Sequence, residues 1–122
     1  MDQAVERMGS SARQLADAAI VTGDLAISAI SLWEIALLAR NERLRIRPSL
    51  GVWRRDLLRR GVIELPLGGA ICIAVAELND FHPDPADRLI VATVQELGAT
   101  LLTADEKILA WSGRLDRRDA RV

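Results

Sequence analysis

Asp84-Pro85-Ala86-Asp87-Arg88-Leu89-Ile90-Val91-Ala92-Thr93, followed beyond Gly98 by Thr100-Leu101-Leu102-Thr103-Ala104-Asp105, sets a helix, a strand and the start of another helix in one short stretch. Asp84 before Pro85 is a capping acid ahead of a proline whose fixed φ suits the first helical position. Leu89, Ile90, Ala92 and Val94 carry that helix to Gly98, a residue that readily ends one. Thr100 to Thr103 reads as a strand, and Asp105 stands where it turns into a last short helix of Glu106, Lys107, Ile108 and Leu109.

The same alternation extends toward the amino terminus. Ala12, Leu15, Ala16, Ala19 and Ile20 recur at helical spacing from Ser10 or Ser11 and stop at Gly23. Leu25 to Ser28 is a short buried strand, and a second helix begins near Ser31 with apolar residues on more than one face. Beyond Pro48, Val52, Leu57 and Leu58 alternate with arginines in an amphipathic helix ending at Gly61. Val62 to Leu65 is a strand stopped by Pro66, and Ala70 to Leu78 a helix of small residues. Strands alternating with helices call for an α/β fold, a short parallel sheet flanked by helices in three layers. Three strands are evident. In such sheets ligands bind beyond the carboxyl ends of the strands, where Ser28 and Asp105 fall.

The 122 residues suit a single domain spanning 1–122. With 50% hydrophobic and 27% charged residues the chain should fold, and no apolar run reaches the roughly 18 residues that span a bilayer. Met1 to Glu6 lacks the basic and apolar regions of a secretory signal, so the cytoplasm is the expected compartment, with no membrane association. Cys72, the single cysteine, excludes an internal disulfide and reads as a small buried apolar residue. A net charge of −1 excludes long-range attraction of the whole protein to nucleic acid. Any such contact needs a local patch. The arginines do group, around Arg43, Arg54 and Arg117, and read equally as solvated helix faces and a frayed tail.

Three acids in apolar settings carry the chemistry. Glu34 lies within Leu32-Trp33-Glu34-Ile35-Ala36, Asp87 before Leu89-Ile90-Val91-Ala92, and Asp105 after Leu101-Leu102-Thr103-Ala104. Carboxylates clustered without a set of histidines or cysteines are hard oxygen donors suited to Mg²⁺ or Mn²⁺, which can activate water and stabilise charge on a phosphate. The structural alternatives are an arginine partner for Glu34 and helix-capping roles for Asp87 and Asp105; Asp84 is already explained as a cap. His82 has no serine partner for acyl transfer and reads as structural or, less readily, as a substrate contact. Trp33, Trp53 and Trp111 are too scattered for a base-stacking platform and suit core or interface packing. Gly68-Gly69 lacks the lysine of a phosphate loop.

Taken in order, Ser28-Ala29-Ile30-Ser31-Leu32-Trp33-Glu34-Ile35-Ala36, Asp84-Pro85-Ala86-Asp87-Arg88-Leu89-Ile90-Val91-Ala92-Thr93 and Leu101-Leu102-Thr103-Ala104-Asp105 closely resemble the PIN-domain toxins of the VapC type. The resemblance covers nearly the whole chain from about Ser10. It implies a metal-dependent endoribonuclease using Mg²⁺ or Mn²⁺, the toxin of a toxin–antitoxin pair with a VapB-type antitoxin, and a homodimer. It also implies Glu34, Asp87 and Asp105 as catalytic metal ligands, with Thr103, Asp84 and Ser28 in support and Arg43 and Arg88 contacting RNA phosphate. One departure stands out. The family's fourth acid ends an opening strand resembling Leu-Leu-Asp-Thr-His in the middle of the sheet, and nothing like it precedes Ser10. The expectation is therefore a PIN-like domain short of its first, central strand, with an upstream start as the favoured reason and the neighbouring strands left without backbone partners. The competing readings are a catalytically inactive PIN-fold module that binds an antitoxin or other partner, and an enzyme of small phosphorylated molecules, which the missing phosphate loop disfavours. An apolar groove around Trp33 and Trp53 is the expected antitoxin surface.

Overall fold

The computed structural model describes residues 8–47, 49–79, 81 and 83–122, so His82 lies outside the described residues. Helix α1 spans Ser10–Thr22. Gly9 precedes it and offers no side-chain cap; instead Gly9 N–H donates to the Ala120 carbonyl (2.9 Å) and Ser11 N–H to the Val122 carbonyl (3.0 Å). These bonds serve the amides that a helix start leaves without intrahelical acceptors. Gly23, at φ 73°, closes the helix in the left-handed region where glycine carries no penalty.

Strand β1 is Ala26–Ser28. The Ser28 hydroxyl accepts from Ile30 N–H (3.2 Å) and starts α2 at Ala29–Arg40, two residues earlier than the apolar pattern indicated. Ser49 does the same for α3, Leu50–Arg59, and β2, Ile63–Leu65, follows the turn at Gly61. Arg54 on α3 grips Glu64 on β2 through both carboxylate oxygens, the second bond at 2.9 Å. Helix α4 is Gly69–Ala76 and α5 is Pro85–Leu97. Asp84 caps α5 as expected, its Oδ1 accepting from Ala86 N–H (2.9 Å) and Asp87 N–H (3.2 Å). Strand β3, Leu101–Thr103, leads to α6, Glu106–Ala110, which Asp105 caps through Ile108 N–H (3.0 Å).

A fourth strand, β4, Arg117–Asp119, corrects the reading of the last arginines as a frayed tail or solvated helix. Its Arg-Arg-Asp sequence has no apolar alternation, so periodicity could not mark it. The Arg117 guanidinium donates instead to the carbonyls of Ile108 (2.9 Å) and Trp111 (2.6 Å), which holds β4 against α6. Arg121 pairs with Asp119 and Glu106.

The strands form two separate parallel pairs. β1 pairs with β2 in the register Ala26↔Ile63 and Ser28↔Leu65, and β3 with β4 in the register Leu101↔Arg117 and Thr103↔Asp119. Among the described residues no ladder joins the pairs, so the sheet is split between β1 and β3. Helix α5 packs against both α2 and α4, and Val91, Ala92 and Thr93 at its centre are almost fully buried. Phe81, Val91, Ile108 and Trp111 form the core beside it, with the Phe81 and Trp111 rings edge to face at 5.2 Å. Trp111 thus packs in the core. Cys72 does not: it is exposed on α4, a helix of small apolar residues that leaves Ile73 68% accessible. The small apolar character of cysteine suggested burial, but only part of so short a helix rests against α5.

Candidate functional site

The acids singled out in the sequence come from both halves of the fold. Glu34 sits on α2 just beyond β1, Asp84 and Asp87 at the start of α5, and Asp105 between β3 and α6. Glu34 is partly buried, and its carboxyl is pushed above the usual carboxylate range, first by desolvation and then by the charges of Asp87, Asp84 and Asp105. That coupling brings the four carboxylates into one electrostatic neighbourhood, and with it the carboxyl ends of β1 and β3.

The sign of the shift gives a stability prediction. A carboxyl held above its unfolded value favours the folded state while protonated, and this contribution is lost as pH rises through the folded value. Glu34→Gln should therefore stabilise the metal-free protein at pH 7, and the gain should vanish as pH falls below the ordinary glutamate range. Urea melts of both forms across pH 3.5–7.5 would read it, and a gain independent of pH would contradict the coupling.

Asp84, Asp87 and Asp105 line a polar cleft of about 580 Å³ with Pro83, Ala104, Glu106 and Lys107. Glu106 and Lys107 were not singled out from the sequence; the signal was their place directly after Asp105 at a helix start. Thr103 Oγ1 accepts from Asp105 N–H (3.1 Å) and so orients the acid. The capping bonds of Asp84 and Asp105 both run to Oδ1, so capping occupies one oxygen of each carboxylate. Asp105 is both a cap and a cleft residue.

Other expected residues are placed differently. Ser28 is buried and caps α2. Arg88, expected on RNA phosphate, donates to the carbonyls of Phe81 (3.1 Å), Val75 (3.0 Å) and Leu78 (3.2 Å), a structural position that turns its guanidinium into the protein. Arg43 is exposed in the turn after α2. Trp33 is 55% exposed, whereas Trp53 is partly buried.

A divalent metal was the expected companion of these acids. Their chemistry suits a hard cation, but among the described residues no three histidine, cysteine, aspartate or glutamate side chains converge closely enough to hold one. The donor set fits and the convergence does not.

The PIN domain family model matches residues 6–112. Ribonuclease VapC22 of Mycobacterium tuberculosis (strain ATCC 25618 / H37Rv) is 38% identical over 87 residues, covering 70% of this chain and 65% of that protein. The match thus spans a little under two thirds of the relative's length. No solved structure matches the chain. Among the described residues no helix is long and apolar enough to cross a membrane. A family model spanning all but the two ends, helices flanking short parallel strands, and 38% identity to a VapC protein agree, and the chain belongs to the PIN-domain family.

Proposed function

We propose that this chain is a VapC-like endoribonuclease domain, the toxin of a toxin–antitoxin pair, acting on RNA at the cleft of Asp84, Asp87 and Asp105 with Glu34 beside it. The observation that carries this reading is the polar cleft that Asp84, Asp87 and Asp105 line together, with Glu34 close enough to feel their charge. Carboxylates gathered at the cost of mutual repulsion are retained where a cation or a proton has work to do. Glu34, Asp87 and Asp105 are the hard oxygen donors for Mg²⁺ or Mn²⁺, and holding the ion requires them to draw closer together than they stand here. When bound, such an ion supplies a Lewis acid for a phosphate oxygen and a water of lowered pKa. Thr103 and the helix-start amides orient Asp105, and Asp84 fixes the first turn of α5 on which Asp87 rides. Exposed Arg43 supplies a guanidinium for RNA phosphate. A VapB-type antitoxin, a homodimeric assembly and a cytoplasmic setting go with this reading.

The second reading is a non-catalytic PIN module that binds a partner. It is favoured by the failure of three acids to converge and by apolar residues left on the surface, Trp33 and Ile73 among them.

Titrating Mn²⁺ into the protein by calorimetry, beside the Asp87→Asn/Asp105→Asn double variant, separates the two. Loss of groups one step removed from a metal already weakens binding about 10–100-fold, so losing two ligands should cost at least as much. Cleavage of a mixed RNA pool should fall in parallel. Equal Mn²⁺ affinity in both proteins would overturn the nuclease reading and leave the acids as helix caps.

A further inference from the structure

The arginines that the fold uses and those that it leaves to solvent fall in different places. Arg54 grips Glu64, Arg118 and Arg121 pair with Asp116 and Asp119, and Arg88 and Arg117 donate to backbone carbonyls. In Arg40-Asn41-Glu42-Arg43-Leu44-Arg45-Ile46-Arg47, by contrast, four arginines meet a single acid, within a chain of net charge −1. Arg40 lies in the last turn of α2, where a cation suits the helix dipole. The side chains of Arg43, Arg45 and Arg47 have no hydrogen bond or ion pair among the described residues. Like charges crowded at two-residue spacing repel one another, a cost that a polyanion removes.

The backbone holds this segment in place. Glu42, at φ 57°, turns the chain at the end of α2, in the left-handed region that costs a non-glycine residue about 1 kcal/mol. Asn41 N–H donates to the Leu37 carbonyl (3.0 Å), Glu42 N–H to that of Ala39 (3.2 Å) and Arg43 N–H to that of Leu38 (2.9 Å), so the last carbonyls of the helix fix the turn. Beyond it exposure alternates: Arg43, Arg45 and Arg47 are exposed, whereas Leu44 and Ile46 are half-buried. The two apolar side chains anchor the segment, and a recess of about 350 Å³ lies among Ala39, Glu42, Arg45 and Arg47. Three guanidiniums are thus presented to solvent from a fixed backbone.

Their place relative to the cleft gives the partner. Glu34 and Arg40 share α2, and their spacing is about 9 Å along the helix axis. Among the described residues the cleft lining sets four carboxylates against one cation, Lys107, and so repels a phosphate chain. A nucleic acid cleaved there needs its backbone held elsewhere. We propose that Arg43, Arg45 and Arg47 form a phosphate track that holds the flank of an RNA strand beyond the cleft, so that affinity resides in the arginines and bond breaking in the acids. The guanidinium fork matches phosphate oxygens bidentately. The choice of RNA rests on the nuclease reading; the charge, exposure and anchoring of the track do not.

RNA binding in EDTA, followed on the full chain by fluorescence anisotropy of a labelled mixed-sequence single-stranded RNA across a salt series, tests it. Each phosphate contact on a single strand contributes roughly 0.7 to the slope of log affinity against log salt. Arg43→Gln/Arg45→Gln/Arg47→Gln should therefore make that slope shallower by about 2, weaken binding about 100-fold at about 0.1 M salt and change nothing at about 1 M. Arg43→Lys/Arg45→Lys/Arg47→Lys should keep most of the slope, and Asp87→Asn/Asp105→Asn should bind RNA at least as tightly as the unchanged protein. A slope that the glutamine variant shares with the unchanged protein overturns the track, whether or not RNA is cleaved. Displacement of the RNA by polyglutamate as readily as by polyuridylate assigns the arginines to an acidic protein and overturns it too. The expected loss of slope, with no cleavage by any form in Mn²⁺, supports the track and removes the nuclease reading alone.

Discussion

Trp111→Ala should lower the unfolding free energy by about 3–5 kcal/mol, the range for removing a large aromatic from a packed core. Trp111 is 8% exposed, sits edge to face with Phe81 at 5.2 Å, and packs with Val91 and Ile108. Its indole N–H also donates to the Asn79 carbonyl (3.1 Å), so truncation removes a hydrogen bond along with the packing. The fit on the other side is equally close. A Cβ on Gly113 would fall 2.0 Å from Trp111 Cζ2, which only glycine avoids. Trp111→Phe keeps much of the apolar volume and loses the N–H, so it should cost well under half as much. Urea denaturation of the three proteins measures both values. A loss below about 1 kcal/mol for the alanine variant would mean that this cluster is not the core.

Arg88→Ala is expected to cost about 3 kcal/mol, less than the sum of three charge-assisted hydrogen bonds because the side chain is only partly buried. Val75 lies in the last turn of α4 and Leu78 just beyond it, where a positive charge meets the negative end of the helix dipole. Phe81 belongs to the stretch that returns the chain to α5. One guanidinium therefore closes α4 and fixes the approach to Asp84 and Asp87. Arg88→Lys should recover less than half of the loss, since a single ammonium cannot reproduce the planar fork. If Arg88→Ala left stability unchanged and lowered RNA affinity, the contact with RNA phosphate, not the closure of α4, would be its role.

Much of the frame was legible because its signals are local. Asp84-Pro85 and Gly98 bracket α5 by capping and backbone freedom, and the structure begins and ends that helix there. Glu34, Asp87 and Asp105 stood out as charges in apolar runs, and the fold brings them into mutual range. What escaped depends on tertiary contacts. β4 is held by a ladder to β3 and by the carbonyl contacts of Arg117, neither of which leaves a period in the sequence. Arg88 was expected on RNA phosphate, and nothing local in the sequence marks its contacts with the Val75 and Leu78 carbonyls. Cys72 was expected buried as a small apolar residue, yet the helix that carries it keeps part of its surface open. How closely the acids approach one another is likewise a matter of how two half-sheets are spaced, which no single motif encodes.

The split sheet also bears on how the sequence can vary. With no ladder between the pairs among the described residues, a change in β1 or β2 and a change in β3 or β4 share few partners, and their effects on stability should simply add. Helix α5 is the exception, because it touches elements from both sides. Substitutions at Val91, Ala92 or Thr93 should couple to changes in either half, so divergence among relatives would accumulate freely at the strands and in compensated sets around this one helix.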